Sequence, residues 1–266
     1  MQTIHGLEWT FDTVASAYEK FRPGYPDELY RMLFDYCTLN GSSYAIEVGI
    51  GAGQATFPIL KTGCQLTAVE SGEKLSKICK ERFKEYHNFS VITDKFENID
   101  FLDNAYDLIY SASAFHWIPE DIGYTKVFAM LKRGGVFARF ANHPYRDKGN
   151  LPLSEEMDRI YAEYYYKYYN KKQEVPTEYS GEQAIQRAKI AEQYGFADIK
   201  YALFYRTRTF TASEYSTLLG TYSDHIAIEE SIRKKFFLEI ESAINNHGGS
   251  ITVYDTIDLQ LARKQF

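Results

Sequence analysis

Three glycines, Gly49, Gly51 and Gly53, stand directly after an apolar run (YAIEV, 44–48) and before a helical pattern that opens near Gln54. Glycine at such a turn allows a tight reversal and lets a ligand approach the backbone closely. Glu47 lies two residues before the first glycine, and Glu70 ends the next apolar run, 17 residues beyond Gly53. A carboxylate at a strand end can accept both hydroxyl hydrogens of a ribose, a charge-assisted bidentate contact. Alone, the glycine run reads as a plain strand-to-helix turn and Glu70 as a solvated strand-end acid. Together, at this spacing, they describe a site for an adenosine. A dinucleotide site would place a glycine sixth in the run, where Gln54 stands.

Other reactive side chains are dispersed. The histidines at 5, 87, 116, 143, 225 and 247 show no metal-ligand spacing, so no metal is expected. His116 follows an apolar run that ends at Ser111 and is the candidate general base; packing between Phe115 and Trp117 is the alternative. His225 is a second candidate, with a solvated loop position as its alternative. Cys37, Cys64 and Cys79 form neither a metal motif nor a disulfide framework, which fits a reducing, cytoplasmic setting.

The elements that must position these groups follow from periodicity. Strands are expected at 44–48, 65–70, 90–93, 106–111 and 135–141, with helices near Gln54, over 73–86 and over 122–131. KRGG (132–135) reads as a turn. This alternation implies right-handed crossovers and a parallel sheet covered on both faces. Composition shifts after Pro144. Helices are expected at 154–170, 181–194 and 228–247, with another after Thr211 capped by Ser213, and strands at 200–210 and 250–264. In the first of these helices Tyr161, Tyr164, Tyr165 and Tyr168 share one face, while Tyr166 and Tyr169 point elsewhere. That face suits packing, an aromatic lid or a dimer contact.

The chain has 266 residues, 45% hydrophobic and 25% charged, which suits one large domain. A net charge of −6 offers no basic footprint for nucleic acid. The first residues, MQTIHGLEWTFDTV, lack the pattern of a signal peptide, and no apolar stretch approaches the length of a membrane span. Neither nucleic acid nor membrane is expected as a partner, and the protein is expected to be a monomer or homodimer.

The glycine run with its preceding acid resembles motif I of class I S-adenosylmethionine-dependent methyltransferases. Ser111-Ala112-Ser113-Ala114-Phe115-His116-Trp117-Ile118 resembles motif IV and its sequel in type 11 methyltransferases, and Leu131–Gly135 the turn before their fifth strand. Tyr18, Arg22, Pro23, Tyr25 and Pro26 resemble the N-terminal segment of trans-aconitate-methyltransferase-like enzymes, and Thr221-Tyr222-Ser223 a stretch that lines their substrate side. The likeness covers most of residues 8–141 and a patch near 221, and gives no guidance over 145–200.

The resemblance implies an α/β fold: a Rossmann-like class I methyltransferase sheet, mostly parallel with the last strand antiparallel, and a helical insertion after the fifth strand. It divides one domain, 1–266, into an N-terminal helical cap (1–40), a cofactor-binding core (41–143), a helical insertion or lid (144–198) and the C-terminal part of the sheet (199–266). It implies S-adenosylmethionine as cofactor, with S-adenosylhomocysteine as product, held by Tyr18, Arg22, Glu47, Gly49, Gly51, Gly53, Glu70, Ser71, Asp94, Lys95, Phe96 and Ser111. Lys95 and Phe96 would fall nearest the adenine with Asp94 just before them, and a family acid at that place would be Asp94, a one-residue ambiguity. Arg22 either pairs the cofactor carboxylate or is solvated. A small organic acceptor would meet Tyr25, His116, Trp117, Tyr222 and His225.

Methyl transfer asks mainly for alignment, so no general base is obligatory. The absence of a Pro-Pro motif after Ser111 and of a Pro-Cys nucleophile disfavours DNA-base methylation, and the acidic charge disfavours RNA. Two alternatives stand beside the methyltransferase: a nicotinamide-dependent oxidoreductase, and a non-catalytic S-adenosylmethionine-binding protein.

Overall fold

The computed structural model describes residues 6–7 and 10–265. The stretch 1–5, with His5 and the start of the segment read for a leader, lies outside the described residues, as do residues 8, 9 and 266. Short helices open the chain: α1 (Thr10–Thr13), α2 (Ala15–Phe21) and α3 (Asp27–Tyr36). The sheet then begins with β1 (Tyr44–Val48), followed by α4 (Thr56–Leu60), β2 (Gln65–Glu70), α5 (Glu73–Arg82), β3 (Phe89–Thr93), β4 (Tyr106–Ala112), α6 (Glu120–Met130) and β5 (Leu131–Tyr145). Beyond β5 come α7 (Leu151–Tyr161), α8 (Gly181–Lys189), β6 (Phe196–Thr211), α9 (Ala212–Leu219), α10 (Ser223–Ile226), α11 (Glu230–Asn246) and β7 (Ser250–Lys264).

The seven strands lie in the order β3-β2-β1-β4-β5-β7-β6. β1 pairs in parallel with β2 and β4, while β7 runs antiparallel to both its neighbours. The central strands are apolar along their length because helices cover both faces. Leu29, Leu33, Ile59 and Leu66 pack on one face, and Phe115, Val127, Met130 and Phe137 on the other. The order reverses between β1 and β4. That places a crevice beyond their carboxyl ends, where open α/β sheets bind ligands.

A separate apolar layer joins α7 to α9 and α11, with Leu153, Ile160, Leu219, Phe236 and Ile240 at its centre. The helical layer thus draws on two insertions, one before β6 and one between β6 and β7. α8 instead packs on β6 and β7.

Several boundaries differ from those expected. β5 runs from 131 to 145 rather than 135 to 141: Leu131 already pairs with Tyr106 of β4, and antiparallel β7 pairs with β5 as far as Tyr145↔Tyr254, well beyond the reach of β4. The KRGG turn becomes a bulge inside β5, with a register shift opposite Tyr106 and Gly134 at φ +82°. Thr211, not Ser213, caps α9: its hydroxyl accepts from Glu214 N while Glu214 accepts from Thr211 N, a reciprocal capping box. The tyrosine helix leaves α-geometry after Tyr161 and winds as a π-turn over Ala162–Tyr166. The wider turn shifts the phase of the residues beyond it. Tyr169 therefore turns inward to the backbone of Asp224, and Tyr168 is 38% exposed, the reverse of the sequence expectation. The three cysteines are buried and unpaired by disulfides. Among the described residues no helix is long and apolar enough to cross a membrane.

Candidate functional site

A cavity of about 800 Å³ lies at the crevice and reaches from the glycine turn to α8 and the α10 segment. Its size suits two small molecules side by side. The glycine turn forms one wall. Gly49 N and Ile50 N both donate to Val69 O, at 3.0 and 3.1 Å, which pins the turn to β2. Gly49 has φ +73°, and a Cβ there would lie 2.4 Å from the Ala114 Cβ. The turn therefore packs directly on the exit of β4 and admits no side chain at that position.

Glu70 stands at the carboxyl end of β2, lines the cavity and is buried. One carboxylate oxygen accepts from Gly51 N at 2.8 Å and the other from Gly72 N at 2.9 Å. Burial raises its pKa above the ordinary carboxylate range, against the opposing pull of those two N–H groups. The acid is thus oriented into the cavity edge by the turn it must serve. Asp12 of α1 accepts from Lys74 N and Leu75 N, which ties the N-terminal helices over the start of α5.

Ser71, Asp94, Lys95 and Phe96 line the next part of the wall. Asp94 accepts from Lys95 N and Asn98 Nδ2, so its carboxylate serves the turn, while Phe96 is buried. Tyr18 and Arg22 form the roof. Arg22 donates to the Thr221 hydroxyl and carbonyl at 3.0 and 2.7 Å, and its guanidinium lies 4.1 Å from the Tyr222 ring centre. Residues 18–25 and 221–222 thus close over the cavity together.

Some expected residues fall elsewhere. Glu47 and Gly53 lie behind the turn and do not line the cavity. Both Thr56 and Tyr110 donate to one carboxylate oxygen of Glu47 at 2.7 Å, and its other oxygen has no partner. Burial pushes the Glu47 carboxyl up to about 7, against the hydrogen bonds from Tyr110 and Thr56. Ser111 is buried and donates to Val48 O at 2.8 Å, joining β4 to β1 beneath the site. Ser113, two residues on, carries the cavity-facing hydroxyl and meets Tyr25 OH at 2.8 Å.

His116 is exposed and lines the cavity beside Trp117, whose ring meets Phe11 edge-on at 5.6 Å. His225 is fully buried and outside the cavity. Its Nδ1 donates to Asp224 at 2.8 Å and its Nε2 lies 3.0 Å from Tyr161 OH. The contacts that hold it inside the helical layer come from residues as far as 64 positions away. Among the described residues no group of three or more His, Cys, Asp or Glu could hold a metal ion.

Four further residues, Arg139, Arg187, Arg208 and Asp224, line the cavity without having stood out in the sequence. For Arg139 a local signal exists: it is the one charged residue in the apolar strand GVFARFA. The others depend on long-range packing and leave no local trace.

The residues present fit an adenosine-bearing cofactor: a turn that a Cβ would fill, a buried carboxylate at the second strand end, and a cavity shared by both. Comparison with known proteins agrees. Residues 45–135 match the family described as a methyltransferase domain. An uncharacterized methyltransferase-like protein of Schizosaccharomyces pombe is 24% identical over 233 residues, covering 87% of this chain and 84% of that protein. A putative methyltransferase of Dictyostelium discoideum is 30% identical over 125 residues, 47% of this chain and 46% of that one.

In structure, a putative type II methyltransferase from Anaeromyxobacter dehalogenans superposes with a TM-score of 0.62 at 18% identity, covering 91% of this chain and 98% of that one. A Haemonchus contortus phosphoethanolamine N-methyltransferase 2, solved with phosphomonomethylethanolamine and S-adenosylhomocysteine, gives 0.57 at 13% identity and covers 100% of this chain and 62% of that one.

Proposed function

We propose that the chain is a class I S-adenosylmethionine-dependent methyltransferase that methylates a small organic acceptor held in the same cavity as the cofactor. The observation that carries this reading is the single cavity shared by Glu70, the glycine turn and the arginine-bearing wall of β5 and α8. The structural neighbour solved with phosphomonomethylethanolamine accommodates a small organic molecule on the same fold.

In this reading Glu70 holds the ribose hydroxyls, and the backbone at Gly49 and Gly51 receives the amino-acid end. Ser71, Asp94, Lys95 and Phe96 flank the adenine, and Tyr18 and Arg22 close the roof. Glu47, Gly53 and Ser111 act from behind by fixing the turn. When bound, the cofactor supplies an activated methyl group that an acceptor lone pair takes in line. The protein's own part is alignment and exclusion of water, and orientation alone supplies roughly 7–11 kcal/mol in favourable cases. Tyr25, His116, Trp117 and Tyr222 shape the acceptor side. His225 steadies Asp224 from within the helical layer instead of meeting the acceptor.

Calorimetry with S-adenosylhomocysteine tests the cofactor half. The wild type is expected to bind, and Glu70→Gln to bind more weakly by roughly 1.5–3 kcal/mol, the contribution of a hydrogen bond to a charged group. Equal affinity in the two proteins refutes the ribose role. Binding of NADH without binding of S-adenosylhomocysteine refutes the cofactor. A screen of small acceptors with labelled cofactor tests the reaction, and tight cofactor binding with no acceptor turned over would favour a non-catalytic protein.

A further inference from the structure

Arg139 occupies the middle of β5, opposite Ser111 of β4 and Gln260 of β7. It is 7% exposed and lines the cavity. A buried guanidinium is ordinarily paired with a carboxylate, because an uncompensated buried charge is costly. The neighbouring arginines obey that rule. Arg206 and Arg208 both bind Asp255, at 3.1 and 2.5 Å, and Arg187 lies 3.6 Å from Asp258.

Arg139 differs from them. It donates to the Tyr124 hydroxyl, its Nε has no partner, and it belongs to no ion pair among the described residues. The rings of Phe115 and Tyr124, packed edge-on to each other at 5.3 Å, lie 4.9 and 5.3 Å from its guanidinium carbon. Burial lowers its pKa below the usual arginine range; the charge of Arg187 adds to this, while Tyr124 and the charge of Asp258 oppose it. Glu120, an acid that also lines the cavity, is engaged by Tyr194. Three arginines, Arg139, Arg187 and Arg208, thus line this part of the cavity, and the last two are matched by the buried acids of β7, Asp258 and Asp255.

We propose that Arg139 determines acceptor specificity by receiving an oxyanion of the acceptor, a carboxylate or a phosphate, on its partly unpartnered guanidinium. The inference rests on the cavity being an acceptor site, as proposed for the function. A planar fork packed against two rings suits a planar or tetrahedral oxyanion and fits a neutral amide poorly. Arg187 reinforces the positive field without giving up Asp258.

The test uses the full chain saturated with S-adenosylhomocysteine, and again without it. Benzoate, inorganic phosphate and benzamide, the neutral counterpart of benzoate, are titrated by calorimetry. At least one oxyanion is expected to bind at least 10-fold more tightly than benzamide, and which one binds distinguishes the carboxylate from the phosphate source. Arg139→Gln and Arg139→Met should lose roughly 10- to 100-fold of that affinity while S-adenosylhomocysteine affinity is retained. Arg139→Lys, which keeps the charge without the fork, should fall between.

Thermal melting of the ligand-free proteins separates this from a structural role. Arg139→Met should melt no lower than the wild type, because it removes an uncompensated buried charge. A Met variant that melts lower while oxyanion affinity is unchanged in Arg139→Gln overturns the proposal. So does a wild type to which neither oxyanion binds at millimolar concentration. Loss of S-adenosylhomocysteine binding in the wild type would instead count against the cofactor reading.

Discussion

The partnerless oxygen of Glu47 gives the stability of the protein a distinctive dependence on pH. Burial holds this carboxyl at about 7 in place of its ordinary 4.5. A raised folded-state pKa in an acid stabilises the fold fully below the unfolded value, and that stability is lost as pH rises through the folded one. The group should therefore cost the protein stability progressively between pH 4.5 and pH 8, reaching about 3 kcal/mol at the top of that window.

Glu47→Gln keeps the shape and removes the titration. Its amide places a donor where the lone oxygen was, which costs roughly 1–3 kcal/mol, but that cost does not change with pH. Urea unfolding of both proteins at pH 5, 6, 7 and 8 isolates the effect, since every other titration is common to the two. The stability of the wild type relative to the variant should fall by about 2.5 kcal/mol between pH 5 and pH 8. A difference that stays constant across this range would refute the reasoning. It would mean that Glu47 is ionised throughout and finds a compensating charge beneath the glycine turn.

Two further substitutions test the frame of the site. Gly49→Ala must accommodate φ +73° and a Cβ only 2.4 Å from that of Ala114; it should lose at least about 2 kcal/mol of stability and weaken S-adenosylhomocysteine binding. Unaltered melting and affinity would show that the turn relaxes freely. Burial alone would raise the pKa of Asp224, but the charge and hydrogen bonds of His225, with the Tyr165 hydroxyl, outweigh it and hold the carboxyl well below the usual range. Asp224 thus contributes stability above its unfolded pKa that is lost as pH falls, so Asp224→Asn should be less stable than the wild type by roughly 3–5 kcal/mol at pH 7 and by much less at pH 2. Urea midpoints at the two pH values check this, and an equal deficit at both would exclude the charged pair.

The parts of the site visible in the sequence are those encoded locally. Gly49–Gly53 and Glu70 declare themselves because a tight turn and a strand-end acid are separated by one short crossover, so their spacing survives in one dimension. The alternation of strands with helices is legible for the same reason. The features that stay hidden depend on partners distant in the chain. β5 is longer than its own pattern because residues 254–263 extend it. Tyr168 and Tyr169 exchange faces because a π-turn, invisible to a 3.6-residue period, shifts the helix upstream of them. His225 looks like a loop histidine until Tyr161 and Asp224 enclose it. Arg139 looks like an ordinary strand residue with the wrong polarity, and only its belonging to no ion pair among the described residues, with its Nε left without a partner, gives that polarity a meaning.

The strand order also has a consequence for how the molecule is made. β5 is an interior strand only because β7 covers its outer edge, and β7 begins at Ser250, more than a hundred residues later. At roughly 5–20 residues per second, the ribosome takes on the order of ten seconds to supply that cover. Through this interval Val136–Tyr145 presents an unpaired, largely apolar edge, the kind of surface that recruits strands from other chains. The buried acids that balance the arginines, Asp255 and Asp258, arrive on the same late strand. The cofactor wall can thus assemble during synthesis, whereas the opposite wall of the cavity acquires its shape and its charge balance in one late step.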